Sequence, residues 1–280
     1  GPEGHEYLDC PEHREEGGTP AIIESIRAGL VFQLKKAVGH ETIKEKEHAF
    51  VRTAIENWQA HPNISILGNH ESWRLSIVSF TIESFSKHLH HNFVVTLLND
   101  LFGIQARGGC SCAGPYGHRL LNIDNVTSEA FQCEILRGSE GIKPGWTRVN
   151  FNYFISDAVH VFILDAIDFV ATHGWKFLPF YTFDENSALW LHCDSQGQDN
   201  AMSLKDISYE QGQMAYASSH SQMSELALNA YLEQAHRLAE EARAASKGML
   251  LEVPQLDASF EALRWFLLPH EALERLRNGE

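Results

Sequence analysis

Apolar residues recur every three or four positions at Ile22, Ile23, Ile26, Leu30 and Leu34, which predicts an amphipathic helix stopped by Gly39. Thr19 reads as its N-cap and Pro20 as its first residue. A second helix is predicted from Glu41 to near Gln59, broken by His61-Pro62-Asn63. The period then changes. Leu75-Ser76-Ile77 and Ser79-Phe80-Thr81-Ile82 alternate in twos, as a strand does. Helical spacing returns over Leu89 to Leu101, with Phe93, Val94, Leu97, Leu98 and Leu101 on one face and Gly103 as the stop. Ile104 to Arg107 predicts a short strand entering the loop Gly108 to Pro115. Thr147 to Tyr153 alternates again, with Thr147, Val149, Phe151 and Tyr153 on one face and Arg148, Asn150 and Asn152 on the other. Ser156 caps a following helix that ends near Gly174. Strand, helix, strand, long loop, strand, helix is the order of an α/β layer with helices packed on a small sheet.

The texture shifts beyond Leu178. Residues 178–217 are polar and irregular, with a hairpin predicted near Trp190. Ser221 to Lys247 is amphipathic, with Met223, Ala227, Tyr231, Ala235, Leu238 and Ala242 on one side, and Gly248 ends it. Two short helices, 259–267 and 270–277, are divided by Pro269. The pattern separates three segments: 1–60, 61–177 and 178–280.

Composition narrows the function classes. Twenty-two Lys and Arg against 37 Asp and Glu leave a formal charge of −15. Nucleic acid and anionic membrane surfaces draw their affinity from Lys and Arg, so neither is an expected partner. The most apolar stretch, Val159 to Ala171, is interrupted by Asp165 and Asp168, well short of the ~20 residues that a spanning helix needs. Five cysteines are an odd number and too sparse for a disulfide framework, which favours a reducing compartment: the cytoplasm, with an organelle matrix left open. Gly1-Pro2 reads as the remnant of a cleaved tag, so the natural chain is expected to extend upstream.

Three places could carry chemistry. The helix start after Gly17-Gly18-Thr19 suits an anion, because free N–H groups and the macrodipole converge there; a plain capped helix is the bland alternative. In Arg107-Gly108-Gly109-Cys110-Ser111-Cys112 a glycine-flanked loop presents thiols near a guanidinium that favours thiolate, unless both cysteines simply pack as small apolar residues. No metal site is expected there, since no second cysteine pair exists and His13 and His118 are isolated. Arg148, on the polar face of its strand, suits bidentate capture of a carboxylate; a solvated strand face is the alternative.

Together, Arg14-Glu15-Glu16-Gly17-Gly18-Thr19-Pro20, Arg107 to Ala113 and Thr147-Arg148-Val149-Asn150-Phe151 resemble the C-terminal half of class V aminotransferases. This pyridoxal-phosphate (PLP) group includes the cysteine desulfurases. The resemblance implies the small C-terminal domain of PLP fold type I plus a mainly helical extension. Residues 1–60 would be the end of the large domain and the interdomain helices, 61–177 the α/β small domain, and 178–280 the extension. It also implies residue roles. Thr19, with Gly18, would contact the PLP phosphate of a partner subunit in a homodimer. Arg148 would hold the α-carboxylate of an amino-acid substrate, and Arg107 would help orient substrate or cofactor. Cys112 would attack the sulfur of cysteine and carry it as a persulfide. Two departures stand out. Cys110-Ser111 occupies positions where many desulfurases carry histidines. The family's PLP-bonding lysine lies upstream of the Gly-Thr-Pro turn, whereas the first lysine here is Lys35, downstream of it. The expectation is half of an enzyme, which does not bind PLP well or act alone. An aminotransferase or β-lyase of the same family, or a non-catalytic interaction module derived from it, are the alternatives.

Overall fold

The computed structural model describes residues 2–109, 114–195, 204–210, 212–216 and 224–279. It divides into two compact units, Gly1–Glu47 and His48–Glu280.

The first unit contains α1 (Pro11–Glu15) and α2 (Ile22–Val38). The predicted helix is present, and Gly39 ends it at φ +90°, with its N–H on the Lys35 carbonyl at 3.1 Å. Its start corrects the sequence reading. Ala21 holds the N-cap position without a side-chain cap, and Thr19 and Pro20 lie outside the helix. The first closed turn runs from the Ser25 N–H to the Ala21 carbonyl at 3.0 Å, which leaves Pro20 ahead of it. The apolar side of α2 is exposed throughout: Ile22, Ile23, Ile26, Leu30 and Leu34 are each more than half accessible.

The helix α3 (His40–Gln59) follows, and its buried residues Phe50, Val51, Ala54, Ile55 and Trp58 all belong to the second unit. That unit is a mixed α/β layer. Its sheet contains β1 (Ile64–Ile66), β2 (Ile77–Ser84), β3 (Lys87–His88), β4 (Arg107–Gly109) and β5 (Trp146–Asn150). The spatial order is β1-β2-β5-β4 with β3 paired to β2, and all pairs are antiparallel. One face buries Val78, Phe80, Ile82, Val149 and the following Phe151. In the same core lie α4 (His91–Phe102), with Phe93, Val94, Leu97 and Leu98, and α7 (Asp157–His173), with Phe162, Ile167 and Val170. Ser156 caps α7 as expected, its Oγ accepting the Val159 N–H at 3.1 Å.

The strand expected over Ile104 to Arg107 instead starts at Arg107 and ends at Gly109. The expected long loop holds two helices, α5 (Gly114–Leu120) and α6 (Asn125–Leu136). The hairpin near Trp190 is β6 (Tyr181–Asp184) with β7 (Leu189–His192). A short ladder, β8 (Ile207–Ser208) with β9 (Ala215–Tyr216), precedes α8 (Leu228–Ala245). The last two helices are α9 (Ala258–Leu263) and α10 (Pro269–Asn278). Pro269 is therefore the first residue of α10 rather than a divider, a position that costs no hydrogen bond. Between α9 and α10 the chain is extended and joins the sheet at β3. The His88 N–H bonds the Trp265 carbonyl at 3.0 Å, and the Leu267 N–H bonds the His88 carbonyl at 2.9 Å.

Candidate functional site: two facing arginines on adjacent strands

The register of the sheet brings the two predicted guanidiniums together. Arg107 on β4 lies directly opposite Arg148 on β5, and Arg148 lies opposite Ser79 on β2. Side chains alternate along β5: Thr147 and Val149 point into the core, so Arg148 and Asn150 take the other face. Directly opposed residues of an antiparallel pair hold their Cβ atoms roughly 5 Å apart, and like charges there repel. Neither arginine makes an ion pair or side-chain hydrogen bond among the described residues. Some arginines of this acidic chain are neutralised: Arg264 binds Glu261 and Glu271, Arg137 binds Glu134, and Arg14 binds Glu15. An exposed Arg107 beside a half-buried Arg148 is thus a cationic pair open to a carboxylate or phosphate.

Close backbone packing fixes the strand that carries this pair. A Cβ on Gly108 would stand 2.6 Å from Asn92 Oδ1 and 3.2 Å from the His91 carbonyl oxygen. One on Gly145 would stand 2.5 Å from the His91 ring and 2.7 Å from the Gly109 backbone. Gly109 itself sits at φ +105°, in the left-handed region that suits glycine. Both approaches converge on the first turn of α4. There His90 is completely buried as the N-cap; its Nδ1 accepts the Asn92 N–H at 3.1 Å and its Nε2–H donates to the Gly141 carbonyl at 3.2 Å. Burial, aided by the neighbouring His91, holds the His90 pKa well below the ordinary imidazole value. Burial likewise brings His91 down to about 4, so both rings are neutral at physiological pH. The sequence places these histidines at a helix start but carries no signal of their burial.

Cys110 and Cys112 lie outside the described residues; Cys10, Cys133 and Cys193 are exposed free thiols. Gly18 and Thr19 are exposed in the first unit, with nothing within 4 Å of a Cβ built on Gly18. No group of three or more potential metal ligands occurs among the described residues, and no described helix is long and apolar enough to cross a membrane.

Residues 3–136 match the family pattern of aminotransferase class-V. The chain is class V aminotransferase-like. This segment includes Gly18, Thr19, Arg107, Cys110 and Cys112, and stops short of Arg148. A cysteine desulfurase of Cronobacter sakazakii is 31% identical over 113 residues, 40% of this chain and 26% of that protein. A probable cysteine desulfurase of Streptomyces coelicolor is 28% identical over 110 residues, 39% of this chain and 25% of that protein. The match thus spans about a quarter of the length of either relative.

Class V aminotransferases generally use PLP, and the donors of this class V-like chain can be compared with what that cofactor needs. The open Gly18-Thr19 turn offers N–H and hydroxyl groups to a phosphate, and the arginine pair fits the carboxylate of a bound amino acid. Of the nine lysines, Lys44, Lys87 and Lys143 are held by Glu41, Glu271 and Glu140, and Lys35 and Lys36 stand on exposed α2. The residues present fit the phosphate and carboxylate ends, and none of residues 1–17, ahead of the Gly18-Thr19 turn, is a lysine.

Proposed function

We propose that this chain is the substrate-handling portion of a PLP-dependent enzyme of the cysteine desulfurase type, working as a homodimer. The observation that carries the reading is the unpaired Arg107–Arg148 couple at the base of the cysteine segment. Arg148 and Arg107 clamp the α-carboxylate of cysteine. Planar guanidiniums meet a carboxylate in two parallel hydrogen bonds, which orients the substrate as well as binding it. Thr19 and Gly18 of one protomer hold the cofactor phosphate in the other. PLP, when bound, supplies the electron withdrawal that lets the substrate carbon leave. The Cys112 thiolate attacks the substrate sulfur and a new S–S bond forms. The C–S bond breaks, its electron pair stays on carbon, and that carbon takes a proton to give alanine; Cys112 keeps the sulfur as a persulfide.

The test is sulfur transfer in the complete natural polypeptide. Cys112→Ser should abolish persulfide formation from cysteine, while Cys110→Ser should lose much less. Full sulfur transfer by Cys112→Ser would overturn the desulfurase reading. The Cys110-Ser111 pair, in place of histidines, favours one second reading: an aminotransferase or β-lyase in which Cys112 is structural. Amino-group transfer from substrate to a keto acid by that variant would support it.

A further inference from the structure

A second candidate site lies on the same sheet face as Arg148, where the class V-like segment meets the C-terminal residues; its Thr81 is two residues along β2 from Ser79, the cross-strand partner of Arg148. A cavity of about 410 Å³ opens between β2, the α5–α6 connection, α6 and α9. This is within the size range of small-molecule sites. Phe131 of α6 and Trp265 supply its aromatic walls. The indole is held in place by its Nε1–H on the Ile142 carbonyl at 3.0 Å and by stacking against His90 at 5.2 Å and 20°. Three polar groups line the cavity. His88 Nδ1 is buried without a partner, while the half-buried Thr81 hydroxyl and the exposed Asn122 side-chain amide make no hydrogen bond among the described residues. Leaving a buried group such as His88 Nδ1 unmet costs about 1–3 kcal/mol, and the other two offer a ligand hydrogen bonds in place of water. Among the described residues, no Asp, Glu, Lys or Arg lines the cavity. Burial lowers the His88 pKa, so its ring adds no charge at neutral pH. An ionised ligand would find no opposite charge on the described walls, whereas a neutral one loses nothing by that.

We propose that this cavity binds an uncharged planar heteroaromatic molecule, its ring between Phe131 and Trp265 and its polar edge on Thr81 and Asn122. The site does not depend on the desulfurase reading, because Ala262 and Trp265 lie beyond the family-matched residues and none of its walls is a proposed catalytic group.

Indole is the probe, titrated into the purified chain and followed by amide and indole N–H resonances, with benzoate as the anionic control. Saturable shifts at Thr81, Asn122 and the Trp265 Nε1–H are expected with indole and none with benzoate. Asn122→Gly should weaken binding about fivefold without lowering the melting temperature, since glycine takes the φ of +54° at no cost. Thr81→Val should weaken it similarly, and Ala262→Trp, which fills the cavity, should abolish it. If Ala262→Trp does not fold, the other two variants carry the test. The absence of saturable shifts up to the solubility of indole, equal binding of benzoate, or unchanged affinity in both Asn122→Gly and Thr81→Val would overturn the proposal.

Discussion

At the scale of single residues, charge and close approach decide the outcome. Arg148→Lys keeps a positive charge but loses the planar fork, and should weaken amino-acid capture by ~1.5–3 kcal/mol, roughly tenfold to a hundredfold. The expected signature in the complete protein is a raised KM for cysteine with an unchanged melting temperature; the reverse would mark Arg148 as a structural strand residue. The buried imidazoles set a pH dependence. His91 titrates near 4 when folded and near 6.5 when unfolded, so between those values the unfolded chain binds the extra proton. Stability is therefore fully present above about 6.5, declines as pH falls towards 4, and levels off below that, by on the order of 3 kcal/mol for His91 alone. His90 acts in the same direction. Asp165 and Asp168, whose carboxyls burial pushes up, act in the opposite one, so the comparison must be made against a variant. Urea unfolding at pH 7 and pH 4.5 should lose less stability in His91→Gln than in the wild type; equal losses would contradict the assignment.

Elements were legible in the sequence where a period or a cap marked them. Leu97 and Leu98 beside Phe93 and Val94 announced α4, Ser156 announced α7, and the alternation through Thr147–Asn150 announced β5 and placed Arg148 on its polar face. Strands of three and two residues, β1 and β3, are too short to show a period. The helix α6 escaped because it buries only Phe131 and Glu134 and so has no apolar stripe, although Asp124 capping Thr127 at 2.7 Å was a usable signal. Thr19-Pro20 suggested a cap that the first closed turn places at Ala21. That Arg107 faces Arg148 could not be read at all, since cross-strand register is a long-range property. The C-terminal attachment was equally hidden. Burial alone would raise the Glu271 carboxyl, but hydrogen bonds from Arg264, the Leu268 N–H and Lys87 bring it down to about 2. Glu271→Gln leaves Arg264, whose side chain is 3% exposed, with Glu261 as its remaining carboxylate, and should cost about 2 kcal/mol. Thermal unfolding checks this; a change within ~0.5 kcal/mol would show that the ion pairs only decorate the surface.

On the scale of the whole molecule, two features stand without a partner among the described residues, the exposed apolar side of α2 and the Arg107–Arg148 couple. Lys44, Lys87 and Lys143 are paired with carboxylates. Mixed with PLP, this chain should show no stoichiometric lysine adduct that survives gel filtration, because a covalent bond requires a positioned, unprotonated amine. A stable adduct mapped to one lysine would refute that. The central claim is that Arg107 and Arg148 form a carboxylate clamp, and the most direct measurement is a titration of the chain with cysteine, read at the two arginine Nε–H resonances. Saturable shifts at both, lost in Arg148→Met and absent with cysteamine, which lacks the carboxylate, are the predicted result; equal shifts with cysteamine, or none at either arginine, would contradict it.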